Sequence, residues 1–468
     1  MSFSASGPEL DRSIAPRGTT QASTASVLIY ALPMIPIGFM GGLVSMYLLK
    51  FSTDVLLIAP GVIGLLFGLS RMWDAISDPL AGYWSDRTRT RLGRRRPWLI
   101  ASCAPLGLLF LALWSPPVSL TSGQLVVWMG AGIILFYTAS TALGIPHLAL
   151  GAELTQGYHD RSRVFGGRML LEFAGILLAA GALMLLEPAA DPRAVATGVG
   201  VGGATLVVAL TLTSALIVRE PPGNADRGPQ HPYAAFRDVW RNPHARLLVV
   251  VFFLDQLSFT CLITVMPYTI QYILGEQGTT GILVGGAIGA ALLFFPIWFP
   301  LSRRFGKRNP WIAATLIKSL AFGIIFLVQP GAFTLVLIAV VLIGGVQGAG
   351  GILGPSIKAD VIDYDEMVTG ERKEGAYFAV WALASKAAAS IAVILVGFVL
   401  QFAHFEPNTE QTESTLLAIR MLSAGLPMLF GLVSMVLLLR FRLNAEEHAK
   451  IRAILDARDE GTATRAWR

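Results

Sequence analysis

Twelve mostly apolar stretches follow one another along this chain, at about 27–50, 59–83, 98–115, 124–150, 164–186, 195–218, 247–274, 280–301, 311–329, 334–356, 375–402 and 415–441. Each is close to the roughly 20 residues a helix needs to cross a hydrocarbon layer of about 30 Å. Inside such a layer there is no water to satisfy backbone N–H and C=O groups, so a chain with this pattern folds as membrane-spanning helices. Composition agrees: 14% of residues are charged, against about 25% in soluble domains. The expected fold class is an all-α membrane protein of twelve helices. Its parts are a polar tail at 1–26, six spans over 27–218, a linker bearing Pro, Gly and Arg at 219–246, six more spans over 247–441, and a second tail at 442–468.

The positive charge is unevenly placed. Loops after even-numbered spans hold Arg87, Arg89, Arg91 and Arg94 to Arg96; Arg161 and Arg163; Arg219, Arg227, Arg237 and Arg241; Arg303, Arg304, Lys307 and Arg308; and Lys358, Arg372 and Lys373. The intervening loops offer little beyond Lys50, Arg193 and Arg420. The positive-inside rule then places both termini in the cytoplasm of a cell or bacterial inner membrane. It also accounts for the net charge of +6 without a nucleic-acid partner. The N-terminal tail lacks the charged start, short apolar centre and cleavage site of a signal peptide, so the first span is expected to stay as an anchor. Cys103 and Cys261 lie in separate apolar spans and suggest neither a disulfide framework nor a metal site.

A repeat divides the chain. Gly93-Arg94-Arg95-Arg96-Pro97-Trp98, between spans two and three, returns as Gly306-Lys307-Arg308-Asn309-Pro310-Trp311, between spans eight and nine. Ala152-Glu153-Leu154 closes span four and Ala359-Asp360-Val361 closes span ten. Two six-helix bundles in the same orientation fit this pattern. The acidic segment from Lys358 to Glu374, read as a loop, faces the same side as the arginines. Arg94, Arg95, Glu153, Asp360 and Asp363 could therefore form a gate holding the bundles together on that side, although a solvated charged surface explains the same residues.

Asp74 and Asp78 stand out in Trp73-Asp74-Ala75-Ile76-Ser77-Asp78-Pro79. Positions i and i+4 share one helical face, and each charge costs about 2.5–3.5 kcal/mol at mid-membrane. Two carboxylates about 6 Å apart repel by about 3 kcal/mol at an effective dielectric near 20. A hard cation such as Na⁺, or a shared proton, would relieve that, with Ser77 supplying another oxygen. Alternatively Arg71 neutralises Asp74 and Asp78 stays protonated. Lys386 lies deep in span eleven and needs an anionic partner, whether a substrate phosphate or a structural carboxylate. Arg168 and Glu172 could form an ordinary i,i+4 pair, or the arginine could hold a phosphate. Asp255 and Lys318 are weaker candidates. No phosphate loop, nucleophile elbow, HExxH or Cys and His cluster is present, so neither an enzyme nor a cofactor beyond a coupling Na⁺ or H⁺ is expected.

Met46-Tyr47-Leu48, the segment from Trp73 to Pro79, Thr90-Arg91-Leu92-Gly93 through Pro97-Trp98, Ala359 to Tyr364, and Lys386 together resemble the cation-coupled glycoside, pentoside and hexuronide symporters, the melibiose carrier family of the major facilitator superfamily. The resemblance covers nearly the whole chain. It implies an alternating-access symporter, monomeric in the bilayer, with Asp74, Ser77, Asp78 and Thr141 matching the family's cation site, Lys386 its coupling lysine and Arg168 its substrate arginine. Where the sugar carriers have carboxylates and tryptophans for sugar hydroxyls, this chain has Gly38, Gly144, Leu148 and Gly351. The departure suits a phosphate-headed amphiphile, as in the branch that resembles sodium-dependent lysophosphatidylcholine symporters. A sugar symporter using other polar groups is the first alternative; an uncoupled scramblase or a membrane receptor is the second.

Overall fold

A computed structural model describes residues 23–154, 158–218, 220, 239–371, 373–443 and 445–466. The first 22 residues of the N-terminal tail, most of the linker, and Arg219, Arg227, Arg237 and Arg372 lie outside the described residues. Twelve helices span the membrane: α1 (Thr24–Met46), α2 (Pro60–Arg87), α3 (Arg96–Trp114), α4 (Ser122–Glu153), α5 (Arg163–Leu186), α6 (Pro192–Ile217), α7 (Pro243–Leu274), α8 (Thr280–Phe305), α9 (Arg308–Leu327), α10 (Phe333–Thr369), α11 (Glu374–Phe402) and α12 (Glu413–Leu439). A further helix, α13 (Ala445–Ala466), lies beyond them. Eleven of the twelve are apolar enough to cross by composition alone. The exception is α2, which carries Arg71, Asp74 and Asp78 within its 28 residues and lies along the centre of the molecule instead of facing lipid throughout.

Helix starts follow local chemistry. Thr121 and Gln124 form a reciprocal capping box at α4, while Asp191 and Asn242 cap α6 and α7 with proline at the first helical position. Within the first bundle α1 packs on α5, α3 on α4 and α6, and α2 on α4; within the second α8 packs on α10, α9 on α10 and α12, and α7 on α11 and α12. The bundles meet where α2 crosses α11, α5 meets α8 and α1 meets α7. The α2–α11 crossing is backbone against backbone: a Cβ on Gly64 would sit 2.9 Å from the Gly397 Cα, which only a glycine pair permits.

One expectation needs correcting. The segment after Ser356 is not a loop; α10 runs on to Thr369 and stops where Gly370 adopts a left-handed φ of 76°. The extension is amphipathic. Val361 and Ile362 are buried in one apolar cluster with Ile451 and Leu455 of α13, while Asp360 and Asp363 also meet α13, at His448. The helix thus outlasts the apolar run because a second helix covers it beyond the hydrocarbon layer.

Candidate substrate and cation chamber

Within the first bundle, and reached from the second by Lys386 of α11, a cavity of about 280 Å³ is lined by Arg71, Asp74 and Asp78 of α2, Tyr137, Ser140, Thr141 and Gly144 of α4, Gly41 of α1 and Arg168 of α5. Asp74 is only 6% exposed, and its Oδ1 has no hydrogen-bond partner; the Ser77 hydroxyl, also buried, has none either. Asp78 accepts a hydrogen bond from the Thr141 Oγ1 at 2.9 Å. Its other oxygen is ion-paired with the Lys386 Nζ, a bond that joins the two bundles at their centre. Of the four residues matched to a cation site, Asp74, Asp78 and Thr141 line this cavity, with one carboxylate held by an amine, while Ser77 does not line it.

Arg71 makes no direct ion pair with Asp74. Its guanidinium lies over the Tyr137 ring, 4.5 Å from the centroid, and donates to the Ser45 hydroxyl at 3.2 Å. Arg168 and Glu172 form no ion pair with each other; the Arg168 Nε lies 3.1 Å from the Met34 sulfur. Gly38 cannot carry a side chain, since a Cβ there would come 2.3 Å from the Glu172 carbonyl oxygen. Gly144 is different, because a Cβ there meets nothing within 4 Å. Leu148 lines the same cavity. Away from the chamber, Lys318 and Asp255 are ion-paired to each other, linking α9 to α7.

A second cavity, about 440 Å³, lies between α5, α7, α8 and α10 and is lined almost entirely by apolar side chains, among them Met169, Phe173, Phe259, Val284 and Ile343. Gln347 and Thr280 are its polar exceptions. The two cavities share α1 and α5, where Arg168 and Met169 line one each.

At the arginine-bearing end the predicted gate residues are not brought together across the bundles. Arg94 and Arg95 both contact Glu153, at 3.2 and 3.0 Å, and Arg95 also reaches Asp86 and, at 2.6 Å, Ser85. The backbone N–H groups of Arg94 and Arg95 donate to Glu220. In the second bundle Lys307 pairs with Asp360 at 2.6 Å, and the His448 Nε2 lies 3.1 Å from Asp363. Among the described residues, each ion pair at this end stays within one bundle. Arginines at neighbouring, not identical, positions of the repeated motif do similar work: Arg96 donates to the Ala215 and Leu216 carbonyls, and Arg308 donates to those of Leu438 and Leu439. Both arginines thereby tie a helix start to the end of the last span of their own bundle.

Sequence reasoning missed the network at the other end. There α1 continues through Leu48–Lys50 into a π-turn, Phe51–Val55, and α7 ends in another, Thr269–Leu274. Lys50 pairs with Asp54 at 2.6 Å, both side chains nearly inaccessible, and Lys50 also bonds Gln271 across the bundles. The Tyr272 hydroxyl donates to Asp54 at 2.9 Å, Thr53 meets the Tyr268 hydroxyl at 2.8 Å, and the Asn408 side-chain amide donates to the Asp54 carbonyl at 2.9 Å. The only hint in sequence was an i,i+4 Lys and Asp at the end of span one.

Two six-helix bundles around a central polar chamber, with an ion pair bridging them at mid-membrane, define a membrane transporter of the major facilitator fold. The chain belongs to the family described as MFS/sugar transport protein, whose model matches residues 29–445. Relatives are symporters. An uncharacterized symporter, sll1374, of Synechocystis is 25% identical over 88% of this chain and 93% of its own length. The inner membrane symporter YicJ of Escherichia coli is 25% identical, covering 85% and 87%, and the sodium-dependent lysophosphatidylcholine symporter 1 of Xenopus tropicalis 22%, covering 92% and 89%. Among solved structures the nucleoside transporter NupG superposes with a TM-score of 0.69 at 13% identity, over 88% of this chain and 99% of that one, a likeness of fold.

Proposed function

We propose that the protein is a cation-coupled symporter whose arginine-bearing end faces the cytoplasm, and that it carries a lysophospholipid-like amphiphile. The observation that carries the coupling is the bridge from Lys386 to Asp78 beside the unpartnered Asp74 and Ser77 oxygens. A Na⁺ or proton arriving at the carboxylates competes with the Lys386 ammonium for Asp78. Displacing that ammonium removes the central bond between bundles, so ion occupancy and bundle arrangement become linked equilibria. Thr141 holds the second Asp78 oxygen and keeps the carboxylate aimed at the site while its partner changes. Alternating access then follows from making and breaking contacts between two stiff bundles, with Arg94, Arg95, Glu153, Asp360 and Asp363 available as gate residues when the arginine-bearing ends approach.

The cargo reading is supported by the pairing of a cationic chamber with an apolar one. An amphiphile with its head at Arg168 and its chain among Met169, Phe173 and Phe259 would bury both parts in matching surroundings. A sugar is the second reading, favoured by the family description and by relatives such as the glucuronide carrier protein homolog of E. coli. Uptake by the full-length protein in proteoliposomes separates these. Sodium-driven accumulation of lysophosphatidylcholine, not inhibited by glycosides, is expected. Accumulation of glycosides alone transfers the cargo to the sugar reading, and equilibration without a gradient response points to a scramblase or receptor.

A further inference from the structure

The cations of the arginine-bearing end divide into two groups. Arg95, Arg96, Lys307 and Arg308 are committed to carboxylates or carbonyls of their own bundle, whereas Arg303 and Arg304, adjacent at the end of α8, have no ion pair among the described residues. Each lies instead on an aromatic ring. The Arg303 guanidinium carbon is 4.4 Å from the Phe299 centroid, and that of Arg304 is 5.4 Å from the Phe305 centroid. The positive-inside rule explains the sign of the charge at this end. It does not explain why these two are left unpaired.

The way α8 ends supplies a reason. Pro296 lacks a backbone N–H, and the helix tightens into a 3-10 turn at Phe295–Ile297 before resuming as Trp298–Phe305. Trp298 is buried and donates to the Gly345 carbonyl of α10 at 3.0 Å, which fixes the roll of this last segment. Ile297, Phe299 and Phe305 are left exposed, with both arginines exposed beside them. Stacking holds each guanidinium by its face and leaves its edge donors available to a phosphate. An apolar strip ending in two such cations, at the margin of a bilayer, matches a lipid that is apolar along its chains and anionic at its head.

We infer that the end of α8 binds an anionic phospholipid of the leaflet on the arginine-bearing side, with Arg303 and Arg304 gripping the headgroup phosphate and Phe299 and Ile297 receiving the start of an acyl chain. The site shares no residue with the polar chamber. Phe295, one turn back from Phe299, lines the second cavity, so the lipid stands against a helix along which the two bundles meet. A lesser form of the device closes α2, where Arg87 lies 3.8 Å from the Tyr83 centroid beside the exposed Trp84. One guanidinium grips less than two.

Native mass spectrometry of the full-length protein in detergent, titrated with phosphatidylglycerol or with phosphatidylcholine of the same chains, reads the preference directly. Arg303→Gln combined with Arg304→Gln is expected to lower the affinity for phosphatidylglycerol about thirtyfold, the usual worth of two arginines at an anionic surface. Affinity for phosphatidylcholine and the melting temperature in it should stay as in the wild type, because both side chains are exposed. The corresponding double lysine variant should keep part of the preference. Equal wild-type affinities for the two lipids overturn the site, as does unchanged phosphatidylglycerol binding in the folded double glutamine variant. Displacement of the lipid by inorganic phosphate at matching concentration overturns it too, by making the ligand a free anion. Arg168→Gln should leave the preference intact; if that variant abolishes it and the α8 pair does not, the lipid sits in the chamber and the inference falls while the cargo reading stands.

Discussion

The two ends of the molecule are built from the same residue types to opposite effect. At the arginine-bearing end, Arg94, Arg95 and Glu153 in one bundle and Lys307 and Asp360 in the other bond inward, each set stiffening its own six helices. At the far end, Lys50, Asp54, Gln271, Tyr272 and Asn408 bond across, and so do Gly61 to Gln401 and Thr280 to Glu187. Hydrogen bonds between described residues of the two bundles thus lie at the level of Asp78 and Lys386 or toward the arginine-poor end. A rigid-body motion that opens the arginine-poor end has to break the second set and none of the first. The π-turns of α1 and α7 lie where that breakage falls, at corresponding ends of the first helix of each bundle, a place where wide turns commonly mark function.

The sharpest way to break this comparison is Asp54→Leu, which leaves Lys50 buried without its carboxylate. Losing one partner of a buried pair costs about 3–5 kcal/mol, so the closed arrangement should lose more than a hundredfold in population. A cysteine at Ser140, which lines the chamber beside Thr141, in a background lacking Cys103 and Cys261, should become reactive from the arginine-poor side of reconstituted vesicles. Unchanged reactivity shows that the network does not hold that end. Lys386→Met is expected to act in the same direction by about tenfold, because Asp78 keeps Thr141 and the far-end network remains. Glu153→Gln should behave in the contrary way, lowering thermal stability by about 1–3 kcal/mol with the labelling pattern intact; a labelling change there would mean the inward-bonded charges take part in the motion. The smallest effect belongs to Lys450, whose exposed ammonium is held protonated beyond the usual lysine range by its hydrogen bond to Glu447. Its pair therefore persists as pH rises until the elevated pKa is passed, and Lys450→Gln should leave melting and labelling unaltered at neutral pH.

Much of the architecture is legible in the residues because a hydrocarbon layer demands about twenty apolar residues per crossing and forbids unpaired backbone. The same criterion misplaced the end of α10, since a helix leaving the bilayer owes its continuation to the amphipathic contact of Val361 and Ile362 with α13, not to overall apolarity. Lys386 announced its need for an anion, but nothing local names Asp78, 308 positions away. Asp255 and Lys318 were visible singly and not as a pair. Arg71 was within reach of Asp74 along the helix; what draws it off is the Tyr137 ring on α4, a tertiary fact that spacing on α2 cannot hold. The far-end network escaped because π-turns have no sequence period and four of its members, Lys50, Gln271, Tyr272 and Asn408, come from three separate regions of the chain.

The central claim is that a cation replaces Lys386 at Asp78, and radiolabelled sodium binding to the purified full-length protein addresses it most directly. The account predicts saturable binding in the wild type, abolished in Asp78→Asn and sharply weakened in Asp74→Asn, with Lys386→Met binding sodium more tightly because its competitor is gone. Sodium binding that is equal in the wild type and both asparagine variants would contradict it.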